Sequence, residues 1–408
     1  MNITAYTIFG TPIGGQGGGT SPPSPTPEPE LWTRPADWLD LPEVVDTDSI
    51  VTYLYRVSPE TTYTSVEAAG NYTVDWGDGA VENISSGVTA HHAYDLTTLD
   101  TSRTTLESEG YLQVIVTITP QAGATLTSIN LNKRHPSSVN PYYSGITDLC
   151  ISGPSLTSIL IGSTALATDA TNINLDLFKQ VRILSNVATS FNFVLAHCEK
   201  LESVPVLHTA SATDVFALFA YDKMLERVCD FDTSGAINCG SIFYECHNLK
   251  EAPSLNLSSA TDVVNFFYNC YELKGYLNYN IASSTSIANF IYNCYKVQGL
   301  TLTNTGNVTS IYRYVAECKA LRILSLDNCG AITNIAVPYS RNFNVESLIL
   351  TGIKQDVDAR DMHLTASALN ALYSSLAIHN GTVHVTGNPG VYEDDPTIAT
   401  AKGWTVTG

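Results

Sequence analysis

Apolar positions along the middle of the chain follow one grammar, repeated at a fixed interval. A marker residue recurs at Cys198, Asp222, Cys246, Cys270, Cys294 and Cys318, each 24 residues after the last. Three residues beyond each marker stands an apolar side chain: Leu201, Leu225, Leu249, Leu273, Val297 and Leu321. Most copies add another three further on, at Val204, Val228, Tyr276, Leu300 and Leu324. The cleanest read L-x-x-L-x-L, as in Leu321, Leu324 and Leu326, and in Val345, Leu348 and Leu350. A self-similar period of this length predicts a solenoid in which each unit contributes one strand to a stacked sheet. From Leu175 to about Asn342 seven units run in register.

The second half of each unit has its own pattern. Ala212–Val215, Ala260–Val263, Ser284–Ile287 and Val308–Ile311 are each followed by paired apolar residues, for example Leu218 and Phe219, Phe266 and Phe267, or Phe290 and Ile291. Spacing of i, i+3, i+4 after a Ser or Thr cap predicts a short amphipathic helix. Each unit is therefore expected to run strand, turn, short helix, with Cys at the helix end. Asp222, standing where the other units have Cys, is expected at a loosened turn.

This combination, T-[DS]-[VI]-x-x-[FI]-[FI]-x-x-C-x-x-L, resembles the BspA-type leucine-rich repeats of bacterial surface and phage proteins. The resemblance covers about 200 residues and implies a mixed α/β solenoid, here bounded at 123–364. Residues 121–175 carry the strand grammar at unequal intervals (Leu126, Ile129, Leu131; Ile146, Leu149, Ile151; Leu156, Ile159, Ile161) and read as atypical opening coils. Between them, Lys133–Tyr143 reads as a protruding loop. At the other end, 365–408 predicts a capping α/β element. It begins with a helix after Thr365 bearing Ala366, Leu369, Leu372, Tyr373 and Leu376 on one face, closed by Gly381. At about 4.8 Å per coil, ten or so units make a rod some 50 Å long.

Before the repeats the period changes to two. Val51–Val57 and Tyr111–Thr119 alternate as strands, and between them lies Tyr72-Thr-Val-Asp-Trp-Gly-Asp-Gly79. A strand entering W-G-D-G, an aromatic at Tyr94, then a long V-x-V-x-I strand resembles a polycystic-kidney-disease (PKD) type domain, an immunoglobulin-like β-sandwich, over 31–122. The matching residues are Asp75, Trp76, Gly77, Asp78 and Gly79. Gly79 can take positive φ, and the aspartates can accept from main-chain N–H groups, which predicts a structural turn. The competing reading is calcium at Asp75, Asp78 and Glu82, against which three carboxylates fall short of the six to eight oxygens the ion takes. His91 and His92 lie where that family has packing residues.

Residues 1–30 combine a short apolar peptide, GGQGGG and SPPSPTPEPE, and read as an anchor peptide with a flexible hinge and a stiffer polyproline spacer. This segment lacks the basic and long apolar stretches of a secretory signal, no run is long enough to span a membrane, and virion release by lysis fits that combination.

Charged residues make up only 14% of the chain and its net charge is −19, which excludes a nucleic-acid partner for want of Lys and Arg clusters. Its surface is expected to rest on Ser, Thr, Asn and Tyr, as on an extracellular or virion protein. The nine cysteines include six in or next to the marker ladder (Cys198, Cys239, Cys246, Cys270, Cys294 and Cys318) and no CxxC pair. They read either as a column of buried thiols or as a metal or disulfide array; parallel side chains on stacked coils favour the thiols.

Catalytic motifs are lacking: there is no GxSxG, HExxH or P-loop. The densest polar cluster (Asp356, Asp358, Asp361 and His363) falls in a predicted surface loop, so no cofactor, metal or enzymatic role is assigned. Tyrosines are the remaining candidates. Tyr244, Tyr268, Tyr271, Tyr292, Tyr295 and Tyr312 form the expected binding face, while Tyr276, Tyr279 and Tyr314 share the same stretch and part of the whole set must be core. Cys198, Cys246, Cys270, Cys294 and Cys318 form a structural ladder beside them.

The expectation is a non-enzymatic bacteriophage virion protein: a tail fibre, baseplate appendage or capsid fibre. It would join other virion proteins through residues 1–30 and bind a host glycan or protein through its repeats, with homo-oligomerisation left open. Alternatives are a tail-associated polysaccharide depolymerase or a bacterial surface adhesin.

Overall fold

The computed structural model describes residues 32–100, 110–138, 142–162, 173–333 and 344–408. Arg34–Gly408 form one compact unit, and residues 1–33 form another, of which Trp32 and Thr33 are described. The expected anchor and linker therefore lie outside the described residues.

The strand Ile50–Val57 joins two kinds of sheet. On one side it pairs antiparallel with Leu112–Pro120, which continues to Tyr72–Asp75 and Val81–Ile84. On the other it pairs antiparallel with Ile146–Ser152, and from there the order is parallel: Gln180–Ser185, Ser203–Leu207, Arg227–Val228. Its alternating sequence predicts one wet face, yet Thr52 is 0% and Arg56 9% exposed, so this central strand is buried on both faces. Arg56 finds compensation over the Tyr111 ring, 3.2 Å from its centroid.

A second sheet behaves the same way. Tyr63–Ala69 pairs antiparallel with Thr89–Ala93 and Ser128–Asn130, and the latter pairs parallel with Ser158–Leu160. Hydrogen-bonded sheets thus run across the expected border at 122/123. Buried Asp148, on the Ile146–Ser152 strand, accepts from Arg34 Nε at 2.8 Å and Arg182 Nη2 at 3.3 Å, tying the segment before the first strand to the first coils.

The protein is mostly β, and the repeats wind a β-solenoid of about 9 turns. The expected short helix in each unit is not what forms. Among the described residues the α-helices are Ala366–Ser375 and Thr397–Thr400, both near the C-terminus.

In the coil at 191–198, alternate amides leave the coil. Phe191, Phe193, Leu195 and His197 donate to Asp214, Phe216, Leu218 and Ala220 of the next turn, while Val194, Ala196 and Cys198 close i→i−3 turns. Positive φ at Phe193 and His197, then Ala217 and Tyr221, Asn265 and Asn269, Asn289 and Asn293, makes this zigzag possible. A helix would spend those amides inside the coil; here they bind neighbouring coils together. The apolar residues still face inward. Phe219, Phe243 and Phe267 stack at 5.5 and 5.3 Å, and Phe266 stacks on Phe290 at 5.2 Å.

On the strand side the ladder breaks once between Arg227–Val228 and the next sheet, formed by Lys274–Asn280, Lys296–Thr303, Ile323–Leu326 and Ser347–Leu350. Glu251–Leu255 occupies the gap without forming a strand. Pro253 has no N–H to give, and the Ser254 amide is taken by Asp230 Oδ1 at 2.7 Å.

The helix Ala366–Ser375 starts at Thr365, whose hydroxyl accepts from Ala368 N at 3.3 Å, and it ends at Ser375, ahead of Gly381. Below it Val357–Asp358, Thr382–His384 and Thr405–Thr407 make a last parallel sheet, which spans the expected border at 364/365.

Candidate functional site

The marker column is internal. Cys198, Cys246, Cys270, Cys294 and Cys318 are all 0% exposed. The thiols of Cys246, Cys270, Cys294 and Cys318 donate to the carbonyls of Phe219, Phe243, Phe267 and Ile291, at 3.0, 3.1, 2.9 and 3.3 Å. Burial pushes the pKa of each of these thiols up, and the nine cysteines are free thiols. The loosened turn expected at Asp222 does not occur. Its carboxyl is fully buried in the column, Oδ1 accepts from Cys198 N at 2.9 Å, and Oδ2 has no partner. Burial raises its pKa well above the usual carboxylate range, which favours the protonated form there.

Immediately outside the column lie three parallel rows. Tyr244, Tyr268 and Tyr292 stack ring on ring at 4.8 and 4.7 Å, with interplanar angles of 15° and 6°. On the other side of the marker, His247, Tyr271 and Tyr295 stack at 4.7 and 5.3 Å, and Lys319 Nζ closes the row 4.6 Å from the Tyr295 centroid. Between them Asn293 Nδ2 donates to Asn269 Oδ1 at 2.7 Å, and Asn269 Nδ2 to Glu245 Oε1 at 2.7 Å. A matching pair, Asn289 to Asn265, lies one turn earlier in the unit. These asparagines were missed by sequence reasoning, although their signal was present: Asn at one and five positions before the marker suits the positive φ found there.

All five tyrosines of these two rows are half-buried. Ring faces are consumed by neighbouring rings, so the rows present hydroxyl and ring edges, repeated at the coil spacing and flanking an amide row. Burial pushes the Tyr244 hydroxyl up to about 12 and that of Tyr268 in the same direction, keeping both as donors. Tyr312 belongs to a different column, exposed and 5.2 Å below the Arg313 guanidinium. Tyr279 and Tyr314 are core, at 5% and 0% exposure.

At the Asp75–Gly79 turn, Asp75 Oδ1 accepts from Gly77 N at 2.9 Å and Asp78 Oδ1 from Ala80 N at 3.0 Å. Asp78 Oδ2 meets His92 Nε2 at 2.8 Å, and Glu82 Oε1 accepts from the Trp76 indole at 2.9 Å. All three carboxylates are engaged within the turn. Trp76 is buried, stacked on His92 at 4.9 Å, with Tyr94 Oη donating to its carbonyl. Of the C-terminal cluster, Asp356 accepts from Thr382 N at 2.7 Å and Asp358 pairs with Arg360.

Among the described residues no group of three or more His, Cys, Asp and Glu is placed to hold a metal, and no helix is long and apolar enough to cross a membrane. Comparison with protein-family models, curated proteins and solved structures gives no match.

Proposed function

We propose that the chain is a non-enzymatic surface protein of a bacteriophage particle, a tail fibre, baseplate appendage or capsid fibre. In this reading residues 1–30 join it to other virion proteins and the repeats bind a host glycan or protein. The observation that carries the binding role is the set of rows beside the marker column. Hydroxyls and amides recur at one coil spacing on a backbone cross-linked coil to coil, a regular display suited to a ligand that itself repeats. The resemblances support the setting: BspA-type leucine-rich repeats for the coils and a PKD-like sandwich for the antiparallel region around Trp76.

Two measurements test this reading. Particles carrying the full chain or a chain lacking residues 1–30 are purified and probed for the protein; the full chain is expected in particles and the shortened one in the free fraction. Purified full chain is also mixed with host cells and sedimented, with co-sedimentation expected. A protein absent from particles, or one that leaves cells bare, defeats the corresponding half of the proposal.

A further inference from the structure

The break in the strand ladder leaves a cleft of about 400 Å³ between Glu251–Leu255 and Lys274–Tyr279. One end is closed by Lys274 N donating to Lys250 O at 3.2 Å, the other by Tyr279 Oη reaching Pro253 O at 3.4 Å. Tyr276 stands at its rim with 63% of its surface exposed.

Two glycines set that ring. Gly275 takes φ +90, and there the register between the two neighbouring strands shifts, so that Tyr276 faces Gly299. The ring lies over Gly299 so closely that a Cβ there would come within 2.4 Å of Tyr276 Cδ1. In the stacked rows each ring covers the next; Tyr276 instead rests on a bare backbone and keeps a face open. Around it the cleft offers Ser254, Lys274 and Asn278 as hydrogen-bonding groups. Of the ionic groups at its border, Glu251 is paired with Arg227 at 2.5 Å, and Asp230 Oδ1 accepts from the amide of the lining residue Ser254.

We infer that this cleft is a binding site for a neutral saccharide, with Tyr276 as the stacking platform. The inference rests on the ligand-binding reading above and adds to the rows a separate site with its ligand class. A pyranose presents a C–H face to an aromatic ring and equatorial hydroxyls to amide, hydroxyl and ammonium groups, and those are the groups assembled here. An extended peptide added to the free edge of Lys274–Asn280 fits less well, since Pro253 already bridges to Tyr279 across the gap.

The test is saturation-transfer NMR and calorimetric titration of the full chain with a panel of neutral hexose, deoxyhexose and N-acetylhexosamine oligosaccharides. At least one is expected to bind saturably. Tyr276→Ala is expected to weaken that binding about tenfold or more, with the melting temperature unchanged because the side chain is mostly exposed. Gly299→Ala, which displaces the ring without removing it, should weaken binding in the same direction, whereas removing the exposed ring of Tyr392 by Tyr392→Ala should not. A panel without a binder, a Tyr276→Ala protein that binds like the parent, or binding restricted to acidic glycans or extended peptides overturns the inference. Co-sedimentation with cells separates the two failures. Coated cells with no effect of Tyr276→Ala reject this site and keep the surface-binding role, while saccharide binding without coated cells does the reverse.

Discussion

The amide of Cys198 donates to the buried carboxyl of Asp222, one coil further on, at 2.9 Å. In the next four units the equivalent side chain is a thiol that donates to a carbonyl, so Asp222 reverses the direction of the bond. Its folded pKa is raised, chiefly by burial. Below the unfolded value of about 3.9 both states are protonated and the contribution is fully present. Above it the unfolded chain loses the proton while the folded one keeps it, so stability falls by about 1.4 kcal/mol per pH unit until the folded pKa is reached. Denaturant titrations at stepped pH above 4 should show stability falling in this way, and Asp222→Cys should flatten the fall. Equal slopes in both proteins would mean that the carboxyl is hydrated.

The asparagine row depends on backbone conformation as well as amide bonding. Asn269 and Asn293 hold φ of 60 and 56. Asn293→Val should cost about 1–2 kcal/mol for the left-handed conformation alone, plus about 1 kcal/mol for the lost bond to Asn269. Asn293→Gly should lose only the second part. Chemical denaturation of the pair checks this, and the order Gly above Val in stability is the decisive result.

Thiol chemistry offers a further check. Cys229 is half-buried, with its pKa pushed by burial to about 11, and the five column thiols are fully enclosed. Iodoacetamide at pH 7.5 should leave Cys198, Cys246, Cys270, Cys294 and Cys318 unmodified in the folded protein and alkylate all nine cysteines after unfolding. Peptide mass mapping reads the outcome; rapid native labelling of the column would contradict its burial.

At the Asp75–Gly79 turn the two glycines differ in consequence. Both have positive φ, but a Cβ on Gly77 would lie 2.4 Å from Ile115 O, whereas one on Gly79 would meet nothing within 4 Å. Gly79→Ala should cost about 1–2 kcal/mol from backbone strain, and Gly77→Ala clearly more, read as a larger fall in melting temperature. Equal effects would show that strand packing against Ile115 is not what demands glycine.

The period was legible because it is a packing constraint: Leu201 through Leu321 and the cysteines must face inward at each turn, whatever the backbone does. The element type in the second half of each unit was not. Apolar pairs such as Phe266 and Phe267 fit a helix face equally well, and nothing local reveals that the amide of Phe267 will reach Phe290 in the next coil. That information is non-local. Likewise Val51–Val57 alternates like a half-exposed strand, and nothing local reveals that Thr52 is dry. Of the candidate site, the tyrosines were visible and their mutual stacking was not. Tyr276 needed Gly299 beneath it, a relation 23 residues apart that only the shifted register creates.

The antiparallel seam at Ile50–Val57 has an evolutionary corollary. Because the first coil is seated on a strand of opposite direction, that end of the solenoid presents no free parallel edge on which another copy could stack. Interior coils, by contrast, see only coils like themselves. Whole 24-residue modules could be gained or lost between Cys246 and Cys318 without redesigning either terminus, making reach along the axis the quantity most readily altered in this architecture.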